Sequence, residues 1–325
     1  MAEGTGGTGR GTGVTTFRIL GDWGTTRMRL YRIVAGEVVD RVAGPGIGAL
    51  EGRSAGAVLT EAMATWRTAN GDPERIVLCG MAGARGGVAE AGYLDVPADV
   101  AAWRVAARTT IVDGLRVAVA PGLACRHTDG APDVMRGEEA QIFGAIAVDP
   151  ALGRGRRTIL LPGTHSKWVA VADGRVETFR TFPVGELFGL LSRRSTMVVT
   201  PADREAPDYR ADFDQGFDTA LDRVGAECGP LGAMFEARAA TLRDNRSPAW
   251  AEGLLSGLLI GHEVAEAVCG IFGGVDDVTL IGDPHLAALY ERALGRRNIS
   301  ASAVDGDAAV LAGLALLAEE QGERR

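Results

Sequence analysis

The stretch Gly21-Asp22-Trp23-Gly24-Thr25-Thr26-Arg27 determines the predicted fold of the N-terminal part of this chain. Apolar residues precede it from Thr16 to Leu20 and alternate with arginines after it, which predicts two strands joined by a turn at Gly21 to Thr26. Glycines let a backbone approach an anion, threonine hydroxyls and turn amides donate to phosphate oxygens, and aspartate offers the hard oxygen that Mg²⁺ prefers. The turn therefore has the composition of a nucleotide-phosphate site, although Asp and Gly also occupy ordinary turns.

A second stretch, Pro162-Gly163-Thr164-His165-Ser166-Lys167-Trp168, has the same surroundings. An apolar strand is predicted before it at 159–161, and two further strands are predicted after it at 167–172 and 175–182. Gly163 lies 139 residues after Gly24, close to half of the ordered chain. We interpret the repeat as a duplication, and chance similarity of two β-meanders is the alternative. Two such turns facing one cleft would grip a polyphosphate from both sides.

The remaining pattern predicts an α/β protein of two domains. Periodicity indicates helices at 54–69, 134–148, 184–192, 213–226, 230–243, 248–269, 284–294 and 307–319, and strands at 37–42, 75–79, 116–120, 278–281 and around 299. We expect an N-terminal domain at 15–150, a C-terminal domain at 151–306 and a last helix at 307–325 that packs back on the first domain. Residues 1–14 are almost without apolar side chains, which predicts a mobile tail.

Composition narrows the range of partners. The chain carries 34 basic and 42 acidic side chains, and its net charge of −8 argues against nonspecific binding of nucleic acid. The longest apolar runs are too short to span a bilayer, and the N-terminus has no apolar segment like that of a signal peptide, so we expect a cytoplasmic protein without a membrane partner. The cysteines have no metal-site spacing, and we expect all of them to be reduced and structural: Cys79, Cys125, Cys228 and Cys269.

Two further stretches contain residues suited to an acidic substrate. In Asp133-Val134-Met135-Arg136-Gly137-Glu138-Glu139, Asp133 stands where a helix N-cap would stand, and the alternative is a base that accepts a proton from a substrate hydroxyl. Arg136 is available to a carboxylate in a bidentate pair. The glycine-rich loop Gly80 to Gly87 follows a buried strand, and its Arg85 is either a surface arginine or a second candidate for the carboxylate. Lys167 is the single lysine of the chain, which favours a role in charge neutralisation over a solvated position.

The chain resembles the 2-dehydro-3-deoxygalactonokinase family in six places: Gly21 to Arg29, Gly80 to Arg85, Asp133 to Glu139, Leu161 to Trp168, Gly185 to Phe188, and Leu280 to Leu286 with Tyr290. The resemblance implies an α/β, actin-like sugar-kinase fold with two ribonuclease-H-like domains around a central cleft. It also implies ATP-dependent transfer of a phosphoryl group to the 6-hydroxyl of 2-dehydro-3-deoxy-D-galactonate, in galactonate or galactose catabolism, with Mg²⁺ as the metal.

The resemblance assigns roles to particular residues. It implies binding of Mg²⁺ and phosphate by Asp22, Gly24, Thr25 and Thr26, binding of phosphate by Gly163 and Thr164, and a place near the nucleoside for Gly282. We add expected catalytic roles for Asp133 and Lys167 and expected substrate contacts for Arg85, Arg136 and Glu138, with Glu138 as the alternative base. The rival hypotheses are a kinase of another hexonate or a ketose, and a nucleotide-sensing protein without transfer. A homodimer through the helical C-terminal half is a further expectation.

Overall fold

The computed structural model describes residues 16–199, 203–225 and 229–319, and the predicted tail at 1–14 and Cys228 lie outside this range. The chain divides into two compact units. The first contains the described residues up to Ala91, Ala107–Ala120 and those from Leu317 onward, and the second contains Gly92–Ala106 and Pro121–Leu316. Residues 121–150, which we expected in the N-terminal domain, group with the second unit. The domain boundaries themselves stay predictions.

The described residues form the following strands and α-helices. The strands are β1 Arg18–Trp23, β2 Arg27–Val34, β3 Glu37–Pro45, β4 Arg75–Gly80, β5 Tyr93–Asp95, β6 Arg108–Val112, β7 Leu115–Val119, β8 Gly122–Arg126, β9 Pro132–Met135, β10 Arg156–Leu161, β11 Ser166–Ala172, β12 Arg175–Phe182, β13 Asp277–Gly282 and β14 Ser300–Asp305. The helices are α1 Ala55–Ala62, α2 Ala64–Asn70, α3 Val100–Val105, α4 Glu138–Val148, α5 Val184–Arg194, α6 Tyr209–Leu221, α7 Pro230–Arg243, α8 Pro248–Cys269, α9 Pro284–Gly295 and α10 Gly306–Ala318.

The first unit is built on a six-stranded sheet in the order β3-β2-β1-β4-β7-β6. β1 is antiparallel to β2 and parallel to β4, with Trp23 opposite Gly80. Parallel neighbours end at the same edge of a sheet, so the turn after β1 and the loop after β4 lie at one edge. Apolar side chains of the sheet and of α1 and α2 form the core, including the buried Trp23 and Trp66.

The second unit repeats this topology. Its main sheet has the order β12-β11-β10-β13-β14, in which β10 and β11 are antiparallel while β10, β13 and β14 are parallel. The first unit has the same sequence of neighbours from β3 to β7, with β6 added as an antiparallel edge strand. A shared strand order of this kind confirms the duplication that the spacing of Gly24 and Gly163 predicted. A small sheet, β5-β8-β9, completes the unit.

Two boundaries in the first unit differ from the prediction. β1 continues through Trp23, so the turn spans only Gly24 to Thr26 and Asp22 belongs to the strand. The cross-strand register places Asp22 opposite Arg29, which lets the two side chains pair. The helix predicted at 54–69 is two helices, because Met63 leaves the helical conformation at φ −96 and ψ 1. Ser54 caps the first of them and accepts from the amide of Ala57 at 3.2 Å.

The prediction for the region before α4 is wrong. We expected a loop at 121–132 and a helix from about 134 that Asp133 caps, but the structure has strands β8 and β9 there. α4 begins only at Glu138, after Gly137 with a φ of 108, a conformation that favours glycine. Asp133 therefore lies in β9, and its side chain bonds to Thr181 of β12 instead of capping a helix.

Helix α8 forms the centre of the second unit. Most of its 22 residues are buried, and it crosses α6 at close range through glycines on both helices. A Cβ on Gly253 would lie 2.0 Å from the carbonyl oxygen of Phe213, and one on Gly216 would lie 2.0 Å from that of Trp250. Among the described residues no helix is both long enough and apolar enough to cross a membrane.

Candidate active site

The first Gly-Thr turn is held by backbone hydrogen bonds. The amide of Gly24 donates to the carbonyl of Arg27 at 2.8 Å, and the amide of Gly48 donates to that of Thr25 at 2.9 Å. A Cβ on Gly46 would lie 2.2 Å from the carbonyl oxygen of Thr25, so the segment after β3 rests directly on the turn. Thr25 and Thr26 are exposed, which leaves their hydroxyls accessible to a ligand.

Asp22 is paired with an arginine. Its Oδ2 accepts from Nη2 of Arg29 at 2.6 Å, and its side chain is 23% exposed. Mg²⁺ in nucleotide sites is commonly held by one or two carboxylates together with phosphate oxygens, so a single partly exposed carboxylate fits an ion that arrives with its nucleotide. Within the described part of the chain no group of three or more His, Cys, Asp or Glu residues could hold a metal by itself. The metal role of Asp22 stays a prediction.

Arg85 lies in the loop that follows β4, in the same unit as Asp22. The structure places this loop at the sheet edge that carries the turn Gly24–Thr26, since β1 and β4 are parallel neighbours. Gly87 packs so closely on the loop that a Cβ there would lie 2.4 Å from the carbonyl oxygen of Ala82. The Arg85 side chain is exposed and makes no hydrogen bond or ion pair to any residue that the structure describes.

The second Gly-Thr turn lies against the start of α5. The amide of Glu186 donates to the carbonyl of Thr164 at 2.9 Å, and a Cβ on Gly185 would lie 2.3 Å from the carbonyl oxygen of Gly163. Gly282, at the end of β13, comes close to the same turn, because a Cβ there would lie 3.4 Å from the carbonyl oxygen of Pro162. The structure thus brings together three of the predicted nucleotide residues, Gly163, Thr164 and Gly282.

Lys167 is buried, with 3% of its surface exposed. Its ammonium nitrogen lies 3.2 Å from Oε1 of Glu138 and donates to the carbonyl of His165 at 3.1 Å. Oε2 of Glu138 accepts from the amide of Arg136 at 3.0 Å. A predicted catalytic residue and two predicted substrate residues therefore adjoin one another. The solvated position that we weighed for Lys167 is wrong.

Arg136 has donors that no described residue uses. Its Nη2 donates to the carbonyl of Gly92 at 2.8 Å, and its guanidinium lies over the ring of Tyr93 at 4.3 Å. Nε and Nη1 are buried and have no hydrogen-bond partner among the described residues. Buried N–H groups are nearly always hydrogen-bonded in folded proteins, and a guanidinium suits a planar oxyanion. These two nitrogens are therefore available to donate to a planar oxyanion such as a carboxylate.

Asp133 is held on both carboxylate oxygens. Oδ1 accepts from the hydroxyl of Thr181 at 2.6 Å, and Oδ2 accepts from the amide of the same residue at 2.7 Å. Nε2 of His127 lies 3.4 Å from Oδ2, and the Asp133 side chain is 11% exposed. A proton acceptor in this position has a fixed orientation, and it must share its lone pairs with Thr181.

Glu139 was not singled out from the sequence. Its side chain is fully buried, and Oε2 accepts from the amide of Gly137 at 2.7 Å while Oε1 has no partner in the described structure. Burial, reinforced by the neighbouring Glu138, raises its pKa to about 8. Glu139 is therefore largely protonated at neutral pH.

Helix α8 contributes two further acids that the sequence reasoning missed. Glu252 accepts from the guanidinium of Arg204 and from the hydroxyl of Tyr209, the latter at 2.8 Å. Glu263 accepts three hydrogen bonds, and burial raises its pKa to about 7. The sequence did contain a signal for these two acids. They stand 11 residues apart, which is about three helical turns, so they lie on one face of a strongly apolar helix.

A cavity of about 190 Å³ lies between the helices of the second unit. Gly163 of the second turn is part of its lining, together with Gly185 and Phe188 of α5 and Tyr290 of α9. Glu252, Arg204 and Tyr209 provide its polar side, and leucines and an isoleucine of α8 and α9 provide an apolar one: Leu259, Ile260, Leu286 and Leu289. A mostly apolar lining with a few polar groups is typical of a small-molecule site.

Two α/β units whose main sheets share one strand order, each with a Gly-Thr turn after the first strand of that sheet, define a protein of the actin-like ATPase and sugar-kinase class. The family model of 2-keto-3-deoxy-galactonokinase matches residues 22–317, and the chain belongs to this family. The sequence resemblance to that family is thereby confirmed.

Relatives support the same placement. A protein of Rhizobium meliloti named probable 2-dehydro-3-deoxygalactonokinase DgoK1 is 40% identical, over 91% of this chain and 95% of its own. The 2-dehydro-3-deoxygalactonokinase of Escherichia coli is 32% identical, over 91% of this chain and 96% of its own. A crystal structure of a 2-dehydro-3-deoxygalactonokinase candidate from Sinorhizobium meliloti has 37% identity and a TM-score of 0.78, over 93% of this chain and 98% of its own.

A more distant structure shows the fold alone. The activator of 2-hydroxyisocaproyl-CoA dehydratase from Clostridium difficile, solved with bound ADPNP, has a TM-score of 0.51 and 14% identity, over 93% of this chain and 95% of its own. The expected homodimer is not tested by these relations and stays a prediction.

Proposed function

We propose that this chain is an ATP-dependent kinase of 2-dehydro-3-deoxygalactonate and transfers the γ-phosphoryl group to the 6-hydroxyl. The observation that carries the proposal is the buried Lys167, paired with the partly exposed Glu138, three residues after the turn Gly163–Thr164, in a member of a family whose relatives are named for this reaction. Because ATP is the phosphoryl donor, we propose the cytoplasm as the place of action.

We propose that both Gly-Thr turns bind phosphate. Backbone amides and the exposed hydroxyls of Thr25, Thr26 and Thr164 are donors of the kind that phosphate oxygens accept. Asp22 would hold Mg²⁺, which supplies positive charge to the phosphate oxygens when it is bound. Lys167 adds the fixed positive charge of the second unit.

The cavity beside Gly163 is the proposed site of the nucleoside. Gly282 supports this role, because it lies against the same turn at the start of α9, whose side chains line the cavity. Glu252 is the polar group best placed to accept from a ribose hydroxyl or an amino group of the base, and Arg204 and Tyr209 fix its orientation.

We propose that Arg136 binds the carboxylate of the sugar acid. Two of its buried nitrogens, Nε and Nη1, have no partner in the described structure, and stacking on Tyr93 holds the guanidinium plane. Arg85 remains the second candidate, but its exposure makes it the weaker one, since a carboxylate bound there stays in contact with water. Glu138 lies at 3.2 Å from Lys167 and would face the sugar hydroxyls.

In the proposed reaction the 6-hydroxyl oxygen bonds to the γ-phosphorus while the bond from that phosphorus to the bridging oxygen breaks, and ADP leaves. Asp133 takes the hydroxyl proton, and Thr181 holds its carboxylate in one orientation. Positioning and charge neutralisation contribute most of the rate enhancement in phosphoryl transfer, so the base makes the smaller contribution.

A coupled assay of ADP release tests the proposal. We expect saturable ADP release with 2-dehydro-3-deoxygalactonate, much slower release with its C4 epimer, and a product whose mass shows one added phosphoryl group. ADP release only with another hexonate or a ketose would reassign the substrate. Binding of ATP without release in the presence of any acid would make the protein a nucleotide sensor.

A further inference from the structure

Glu263 of α8 is a buried carboxylate with three donors on two other elements. Its Oε1 accepts from the hydroxyl of Ser166 at 2.7 Å and from the indole nitrogen of Trp168 at 2.9 Å. Its Oε2 accepts from the hydroxyl of Tyr290 at 2.6 Å. The residue is 2% exposed, and no Lys or Arg of the described chain forms an ion pair with it.

The three donors connect Glu263 to the proposed nucleotide site. Ser166 is the first residue of β11 and stands two positions after Thr164, so its side chain fixes the end of the second Gly-Thr turn. Tyr290 of α9 lines the cavity, and so does Gly163 of the turn. The carboxylate of Glu263 thus connects helix α8 to the end of the second Gly-Thr turn and to Tyr290 in the lining of the cavity.

Packing alone does not explain a carboxylate at this position. Burial raises the pKa of Glu263 to about 7, and Glu266 on the same helix acts in the same direction. Keeping Glu263 ionised therefore costs free energy that an apolar residue at this position would not cost. Such hydrogen bonds are directional, whereas apolar contacts are not. A carboxylate with three donors specifies the relative placement of the elements that it joins.

We propose that Glu263 is a positioning residue for ATP: it holds Ser166, and with it the turn Gly163–Thr164, in register with Tyr290 and the cavity. The inference rests on the proposed function, which places the nucleotide at this turn. Glu263 touches no reacting atom in this scheme and acts through Ser166 and Tyr290.

Calorimetric titration of the full chain with ATP and Mg²⁺, without a sugar acid, tests the inference. We expect Glu263→Gln to weaken ATP binding about tenfold, because one charged acceptor of the network becomes a donor, and Tyr290→Phe to weaken it about threefold. In the coupled assay the KM for ATP should rise in the same order, while the KM for the acid stays within twofold of wild type.

Val264→Ala is the matched control. Val264 is fully buried on the same helix, and its truncation lowers the melting temperature without touching the network. We expect this variant to bind ATP with wild-type affinity. The inference would be overturned if Val264→Ala weakened ATP binding as much as Glu263→Gln does at an equal loss of melting temperature. It would also be overturned if both Glu263→Gln and Tyr290→Phe bound ATP with wild-type affinity. A wild-type chain that binds ATP but phosphorylates no acid would instead refute the proposed function, and the comparison of ATP affinities would still decide the role of Glu263.

Discussion

The ammonium nitrogen of Lys167 lies 3.2 Å from Oε1 of Glu138, and this pair joins β11 to the first turn of α4. The lysine follows the second Gly-Thr turn, and the glutamate precedes the long apolar part of α4. A buried ammonium needs a partner, and a partner that is itself 24% exposed stays accessible to a substrate. In the proposed function, this pair would link phosphate binding to the acceptor side of the site within one unit.

Lys167→Met should lower kcat by about a hundredfold or more, the usual effect of removing a group that stabilises transition-state charge. It should also destabilise the fold by about 3 kcal/mol, the lower end for breaking a buried pair, because Glu138 retains some contact with water. Steady-state kinetics and urea unfolding measure the two effects. The double variant with Glu138→Gln should recover most of the stability but not the rate. Recovery of kcat in the double variant would show that Lys167 serves only to neutralise Glu138.

Asp133→Asn should lower kcat about a hundredfold or more, since an amide takes no proton at neutral pH. Thr181→Val is the control, because it removes the hydroxyl that bonds to Asp133 at 2.6 Å and leaves the carboxylate in place. We expect a loss of tenfold or less in the control. A near-normal kcat for Asp133→Asn, measured in the presence of saturating acid, would move the base to Glu138.

Arg136→Met should raise the KM for the sugar acid by about ten- to a hundredfold and leave the KM for ATP nearly unchanged, because a hydrogen bond to a charged group contributes about 1.5–3 kcal/mol. Tyr93→Leu removes the stacking partner and should raise the same KM by a few-fold. Arg85→Met is the comparison, with an expected change below threefold. A large effect of Arg85→Met together with none from Arg136→Met would exchange the roles of the two arginines.

Local sequence signals predicted several elements of the second unit. The bounds of α7 and α8 agree with prediction at 230–243 and 248–269, because proline marks the first turn of each helix and α8 ends before a glycine. The turn at 162–165 was also located correctly, since proline and glycine interrupt two apolar strands. Signals of this kind depend on neighbours in the chain, and one sequence is enough to detect them.

The small sheet β5-β8-β9 could not be predicted in the same way, although β7, which precedes β8, was predicted at 116–120 and lies at Leu115–Val119. β5, β8 and β9 are strands of three to five residues, and they are stabilised by partners far away in the sequence. Asp133 bonds to Thr181, 48 residues later, and no local pattern announces that pairing. The network of Glu263 is likewise formed by residues 27 to 97 positions away. Without knowledge of such distant partners, the sequence does not distinguish an aspartate that caps a helix from an aspartate within a strand.

Gly253→Ala should destabilise the second unit by about 1–3 kcal/mol, the usual cost of forcing extra volume into a packed core. The added Cβ would lie 2.0 Å from the carbonyl oxygen of Phe213, so α6 and α8 would have to move apart. Gly232→Ala is the control, because it lies in α7 with open space around it and should stabilise its helix by about 0.5–1 kcal/mol. Thermal unfolding should show a lower melting temperature for Gly253→Ala and a higher one for Gly232→Ala. Equal shifts of the melting temperature in the two variants would contradict the close crossing of α6 and α8.

Glu139 should make the stability of the wild-type chain fall as pH rises. Its pKa in the folded protein is about 8 against an ordinary value of 4.5, so the folded state holds a proton that the unfolded state has lost between these values. The stabilisation is complete below about pH 4.5 and decreases toward pH 8 by at most about 1.4 kcal/mol per pH unit. The pKa of Glu263 is about 7, so its protonation also stabilises the folded state less as pH rises, and this decrease ends near pH 7.

Glu139→Gln keeps an oxygen for the amide of Gly137 and has no proton to lose, so its unfolding free energy should vary less with pH. The variant should gain stability relative to wild type as pH rises from 5.5 to about 8, with little difference at the acidic end. Urea unfolding at a series of pH values measures this. Glu61→Gln is the control, because Glu61 is 73% exposed and should leave the wild-type curve nearly unchanged. Parallel curves for wild type and Glu139→Gln would mean that Glu139 is ionised in the folded protein and that a donor reaches its Oε1.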